Sequence, residues 1–210
     1  STNTETFKTV SNIIFVFENL ISENEETYFH EIIGKRELIK NELLSITKPI
    51  YLPSFKSEKF IALHIRCGDF QSQNIENATG DVLKNSRTPI SWFAEMLTDI
   101  RNFLKCDIPA IVYSDGSSIE IGRILSLPNV KRSQYQASVT DLLDIGSSRL
   151  LLSSGSGFSM WGAYLGATPR ICFPTCPRYF SSSERKDSAV VARKSISECF
   201  SRSYSAFTLW

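Results

Sequence analysis

Phe60-Ile61-Ala62-Leu63-His64-Ile65-Arg66-Cys67-Gly68-Asp69-Phe70 is the stretch whose reading decides the fold. Its first six residues, apolar apart from His64, have the length and composition of a buried strand, and the chain then turns through Gly68 and Asp69 into polar sequence. Outward from it the same figure repeats. A polar loop to Pro89 leads to ISWFAEMLTDIRNFL (90–104), whose apolar residues recur at helical spacing, and then to AIVYS (110–114) as a strand. IEIGRILSL (119–127) and TDLLDIG (140–146) read as helices joined by a short link poor in apolar residues. RLLLS (149–153) is a strand, GSGFSMWGAYLG (155–166) a glycine loop opening a helix, and RICFP (170–174) a further strand. Short strands alternating with helical runs predict an α/β fold: a Rossmann-like parallel sheet flanked by helices. Ligands of such sheets bind beyond the carboxyl ends of the strands, so chemistry is expected just after Ile65, Ser114 and Ser153.

The 210 residues suit one main domain, and 42% hydrophobic residues with 14 Phe, 7 Tyr and 3 Trp can fill its core. Lys plus Arg number 23 against 22 Asp plus Glu, a balance that recommends neither a nucleic acid nor an anionic membrane as partner. No apolar run approaches the ~18–20 residues that span a bilayer, and the opening STNTETF lacks the character of a signal peptide, so a soluble chain is expected. Five scattered cysteines favour reduced thiols over a disulfide framework. With two histidines and only Cys172-x3-Cys176, no structural metal is expected. Residues 1–57 read as a helical lead-in, in which IIFVF (13–17) is open between strand and helix. Glu25 to Leu44 has helical spacing closed by Pro49 and Pro53. Residues 58–180 form the Rossmann-like domain, and 181–210 a Ser-rich tail whose end, Phe207 to Trp210, would dock back.

Three motifs follow the strand ends. In the first, alternation along a strand points His64 and Arg66 to one side. The Arg66 guanidinium can grip a diphosphate bidentately and meet the charge that develops on a leaving phosphate; the plain alternatives are an ion pair to Asp69 for Arg66 and a core role for His64. The second, Tyr113-Ser114-Asp115-Gly116-Ser117, is a turn with a helix cap at Ser117 or Ser118. The third, Ser153 to Ala163, runs through small residues into a helix, where free amides and serine hydroxyls can hold an anion, with Phe158 and Trp161 as core packing. A hydrolase elbow does not fit, because Gly157 to Gly162 is one residue too long and no histidine follows His64. A dinucleotide fingerprint has Met160 where its third glycine belongs. None of the eight aspartates stands two residues from another, so an Asp-x-Asp metal clamp is missing and a metal-free diphosphate site built from Arg and amides fits better.

Together these motifs resemble the fucosyltransferases that carry a His-x-Arg-Arg-Gly-Asp signature, most closely the α-1,2-fucosyltransferase family, from about Phe15 to Phe180. HIRCGDF resembles the signature, YSDG the family's middle motif, and Asp141 to Trp161 and just beyond its Asp…Ser-Ser-Phe-Ser-Trp-Trp-Gly-Ala segment; ICFP-x-CPRYF looks like the block that follows. The resemblance implies the nucleotide-sugar-binding, carboxyl-terminal half of a GT-B enzyme. It implies transfer of L-fucose from GDP-fucose to a glycan acceptor with inversion and no metal or other cofactor. By matched position, His64 would contact the nucleoside and Arg66 the β-phosphate of departing GDP. Asp141 would bind guanine or ribose, Ser156, Gly157, Phe158 and Ser159 would hold the diphosphate, and Asp115 would join the donor site.

The sequence departs from that pattern at Cys67, which stands where the second Arg usually is, and at Gly157 and Met160, which replace Ser and Trp. The family's amino-terminal domain has no counterpart before Phe15, so a fragment or one domain of a larger polypeptide is expected. Cys67 also motivates a reading with another nucleotide sugar as donor, and the missing domain one as a non-catalytic nucleotide-sugar or glycan-binding module. Asp69 would fix the turn rather than act as base. Free cysteines favour a cytoplasmic enzyme of the bacterial or viral kind over a Golgi lumenal domain with its anchor removed; Asn77-Ala78-Thr79 has the form of a glycosylation sequon and shifts this little.

Overall fold

A computed structural model describes residues 32, 34–54, 58–68, 87–135 and 137–173. Helix α1 (Arg36–Ile46) and a 3-10 turn at Pro49–Tyr51 precede the sheet. Then come β1 (Ile61–Ile65), α2 (Ile90–Leu104), β2 (Ala110–Ser114), α3 (Gly122–Leu125), β3 (Val130–Arg132), α4 (Ser138–Ser147), β4 (Leu150–Ser153), α5 (Gly157–Gly166) and β5 (Arg170–Cys172). All four strand pairs are parallel, in the order β3-β2-β1-β4-β5. The expected Rossmann-like sheet flanked by helices is what forms.

The strand alternation sorts the core into two layers. Ile61, Leu63 and Ile65 of β1 pack with Phe93, Leu97 and Ile100 of α2 and with Ile121 and Ile124 beside α3. The residues between them face the other way, where Phe60 and Ala62 meet Tyr113, Leu151, Ile145 of α4 and Ala163 of α5. β1 is paired on both edges and covered on both faces, which is why all five of its residues are buried. Each Leu or Ile so enclosed contributes about 1.5–3 kcal/mol. α2 turns its buried face, Trp92, Phe93, Met96, Leu97 and Ile100, onto this layer and ends at Lys105 in the left-handed region, φ +51°.

Where α4 crosses α5 the helices touch almost backbone to backbone. A Cβ on Gly162 would lie 2.7 Å from Ile145 Cγ2, and one on Gly166 would overlap the Gly146 carbonyl. At the amino end of the sheet, buried Arg101 donates from Nε and Nη2 to the Ile108 carbonyl at 3.1 and 2.6 Å and from Nη1 to the Pro128 carbonyl at 2.7 Å.

Two expectations are corrected. The link after α3 contains an edge strand, β3, which is three residues long and bonds to β2 alone. The helix expected over 119–127 shrinks to Gly122–Leu125 behind a turn. Glycine disfavours a longer helix there. Ser117 does cap that turn: Glu120 Oε2 accepts from the Ser117 amide and hydroxyl at 2.8 and 2.9 Å, and the Glu120 amide donates back to Ser117 Oγ at 3.3 Å, a capping box. Among the described residues no helix is long and apolar enough to cross a membrane. The readings at 13–17, the start of the stretch from Glu25, Asp69, the sequon at 77–79, Cys176, Cys199 and the tail at 181–210 lie outside the described residues.

Candidate functional site

The strand order reverses between β1 and β4: one side of the sheet runs outward through β2 to β3, the other through β5. In chain order β1 is followed by α2, on one face of the sheet, and β4 by α5, on the other, and ligands of such sheets bind beside this switch in strand order. His64 lies opposite Ser153 in that pair, and the Ser154 amide donates to the His64 carbonyl at 3.0 Å.

His64 is 8% exposed. Its Nδ1 stands 3.3 Å from both the Ser154 and the Ser156 hydroxyl, and its ring stacks on Phe158 with centroids 5.4 Å apart. Burial lowers its pKa to about 4; the Asp115 charge opposes that shift and the Arg66 charge adds to it. The imidazole is therefore neutral at neutral pH, a hydrogen-bonding group and a poor base.

Behind it lies a chain of hydroxyls. Ser153 and Ser159 are fully buried with their oxygens 2.7 Å apart, and Ser153 Oγ also accepts from the Gly155 amide at 2.9 Å. Gly155 adopts φ +80°, a conformation open to glycine, which turns the chain from β4 into the helix. Ser156 caps α5 by accepting from the Ser159 amide at 3.4 Å, and Ser159 Oγ donates to the Ser156 carbonyl at 2.9 Å. The Gly157 and Phe158 amides open the helix at positions that no intrahelical carbonyl can reach, so the α5 start offers donors and the positive end of its dipole.

The remaining expected residues divide in two. Arg66 leaves β1 next to this cradle, partly buried and close enough for its charge to act on His64. Asp115 ends β2 and accepts from the Cys67 amide at 2.6 Å and the Gly68 amide at 3.1 Å. Asp141 stands apart, in the first turn of α4, accepting from the Ser133 hydroxyl at 2.5 Å; Ser133 follows β3, two strands from β1. Phe158 and Trp161, expected in the core, are partly buried against it. Cys67 is buried in the α2 layer with Sγ 4.0 Å from Ser114 Oγ, and burial pushes its thiol pKa up.

No family model matches the chain, and neither does any curated protein. Among solved structures, a crystal structure of POFUT1 in complex with GDP is similar at 14% identity with a TM-score of 0.40. The similarity covers 66% of this chain and 46% of that one, so the chain spans less than half the length of the structure it matches.

Sequence reasoning includes Ser154 and Tyr113 in its motifs without a role of their own and passes over Arg132. Ser154 contacts His64 across 90 positions, and nothing local marks it beyond the serine run. Arg132 lies on the unrecognised strand. Tyr113 donates to the buried Asp144 at 2.6 Å, a bond whose carboxylate, after burial itself, drives the phenol pKa up; the spacing of TDLLDIG marks Asp144 only as a helix position.

Proposed function

We propose that the chain carries the donor-binding unit of a fucosyltransferase that transfers L-fucose from GDP-fucose to a glycan hydroxyl, in α-1,2 linkage, with inversion and without metal or other cofactor, in the cytoplasm. The observation that carries this reading is the meeting of two motifs 92 residues apart, the His64–Gly68 signature and the Ser153–Ser159 cradle, through the contacts of His64 with Ser154 and Ser156. Arg66 supplies formal charge for the β-phosphate. The Gly157 and Phe158 amides with the Ser156 hydroxyl supply donors for the diphosphate, the buried Ser159 hydroxyl braces them from behind through the Ser156 carbonyl, and neutral His64 is assigned to the nucleoside. Asp141, bonded to the Ser133 hydroxyl beyond β3, is the residue this reading assigns to guanine or ribose.

In transfer, a bond forms between the acceptor oxygen and the anomeric carbon as the bond from that carbon to the β-phosphate oxygen breaks. The electron pair leaves with GDP, where Arg66 and the amides meet the growing charge, and the acceptor hydroxyl gives up its proton to water. His64 is too weak a base to take the acceptor proton at neutral pH, so its part is to bind and orient. The Cys67 thiol is directed at Ser114 and Gly116, away from the His64 face, which supports retention of the GDP donor despite the lost arginine.

Calorimetric titration in EDTA tests the reading. GDP is expected to bind in preference to UDP and NAD, and Arg66→Ala to weaken it about 10- to 100-fold, the worth of ~1.5–3 kcal/mol for a charged hydrogen bond. Equal binding of UDP, or binding indifferent to Arg66→Ala, would overturn it.

A further inference from the structure

The residues directly after β1, Arg66 to Gly68, are held by contacts made almost wholly to backbone. Asp115 spends one carboxylate oxygen on the Cys67 amide, at 2.6 Å, and the other on the Gly68 amide, at 3.1 Å. These are the two residues directly after Arg66. The fit leaves no slack: a Cβ on Gly68 would stand 2.8 Å from Asp115 Oδ2, and one on Gly116 would stand 2.7 Å from Cys67 Sγ. Arg132, on β3, donates from Nη2 to the Ser114 carbonyl at 2.9 Å and to the Gly116 carbonyl at 2.8 Å, the carbonyls on either side of Asp115. The Gly116 amide closes the turn on Ser114 Oγ at 3.0 Å. The peptide planes that aim the carboxylate are thus themselves fixed from the neighbouring strand.

A carboxylate beside a diphosphate repels it unless its charge is engaged elsewhere, and here both oxygens face amides of the chain. We infer that Asp115 is a positioning residue: it sets where Arg66 points by holding the next two amides, and Arg132 in turn holds Asp115, neither of them touching the donor. The inference rests on the reading of Arg66 as the diphosphate group.

The experiment is a double-mutant cycle by GDP titration on the wild-type chain, Asp115→Ala, Arg66→Ala and the double variant, with Arg66→Lys in place of Arg66→Ala if the latter binds too weakly to titrate. Asp115→Ala is expected to weaken GDP about five- to tenfold in the wild-type background and less than about twofold where Arg66 is already replaced, because a residue that acts through Arg66 has nothing left to position. Asp115→Asn, which keeps one acceptor and the shape, is expected to fall between, with faster amide exchange at Cys67 and Gly68; it also serves if the alanine variant fails to fold. Arg132→Gln should shift affinity in the same direction as Asp115→Asn. Equal loss in both backgrounds would mean that Asp115 contacts the nucleotide itself, and no loss in either would mean that the loop holds without it; both overturn the inference while leaving the donor site standing. A wild-type chain that binds no GDP removes the donor reading first, and this inference with it.

Discussion

With its pKa held at about 4 by burial, His64 stays neutral in the folded chain through a range in which the unfolded chain, near 6.5, takes up a proton. The sign follows directly: the depressed pKa contributes stability that is complete above about pH 6.5 and is lost as pH falls toward 4. Urea unfolding of wild type should therefore lose about 2 kcal/mol more between pH 7 and pH 5 than His64→Gln does, from ~1.4 kcal/mol per unit over the part of that range below the unfolded pKa. Parallel pH profiles for the two proteins would mean that the ring is reached by water. The sequence presents His64 as the one polar residue of an apolar strand and, through the signature motif, as a donor-site candidate, but not as a buried neutral ring. Its neutrality comes from burial, and the groups it meets there, Ser154, Ser156 and Phe158, stand about ninety positions away, a contact that no local pattern predicts.

At the scale of elements, the α4–α5 crossing is the tightest joint described. Gly166→Ala must push the Gly146 backbone aside, because the new Cβ would overlap atoms that cannot rotate away. A cost of about 3 kcal/mol is expected, read as a drop in Tm of about 6–12 °C. Gly122→Ala is the control: a Cβ there meets nothing within 4 Å, and in a helix alanine should stabilise by about 0.5–1 kcal/mol. Similar Tm values for the two variants would show that the crossing yields easily. Legibility followed the source of each element's stability. α2 and β2 were readable to the residue because their own apolar spacing makes them what they are. β3 was not, since Val130-Lys131-Arg132 has no apolar run and is a strand only because β2 offers it an edge. The shortening of α3 came from a capping box and a glycine whose combined effect the apolar spacing of 119–127 conceals.

For the molecule as a whole, a sheet centred on β1 and bordered by β3 should open unevenly. Amide exchange at Leu63, Val112 and Leu152, fully buried in the central strands, should be slowest and approach the global unfolding rate, while Val130 on the edge strand, whose amide faces away from β2, should exchange orders of magnitude faster. Equal protection across β1 and β3 would show that the edge is covered. That chemistry belongs beyond the carboxyl ends of the strands was legible as fold logic, whereas the Arg101 brace at the amino end and the wiring of the carboxyl end through Asp115 and Arg132 were not. The hydroxyls of Ser153, Ser156 and Ser159 bond to one another and to nearby backbone, and each is a rotor whose hydrogen can swing without displacing its oxygen. The network can thus redistribute its hydrogens among those oxygens with no heavy atom displaced, so a change in what it bonds need not refold the loop.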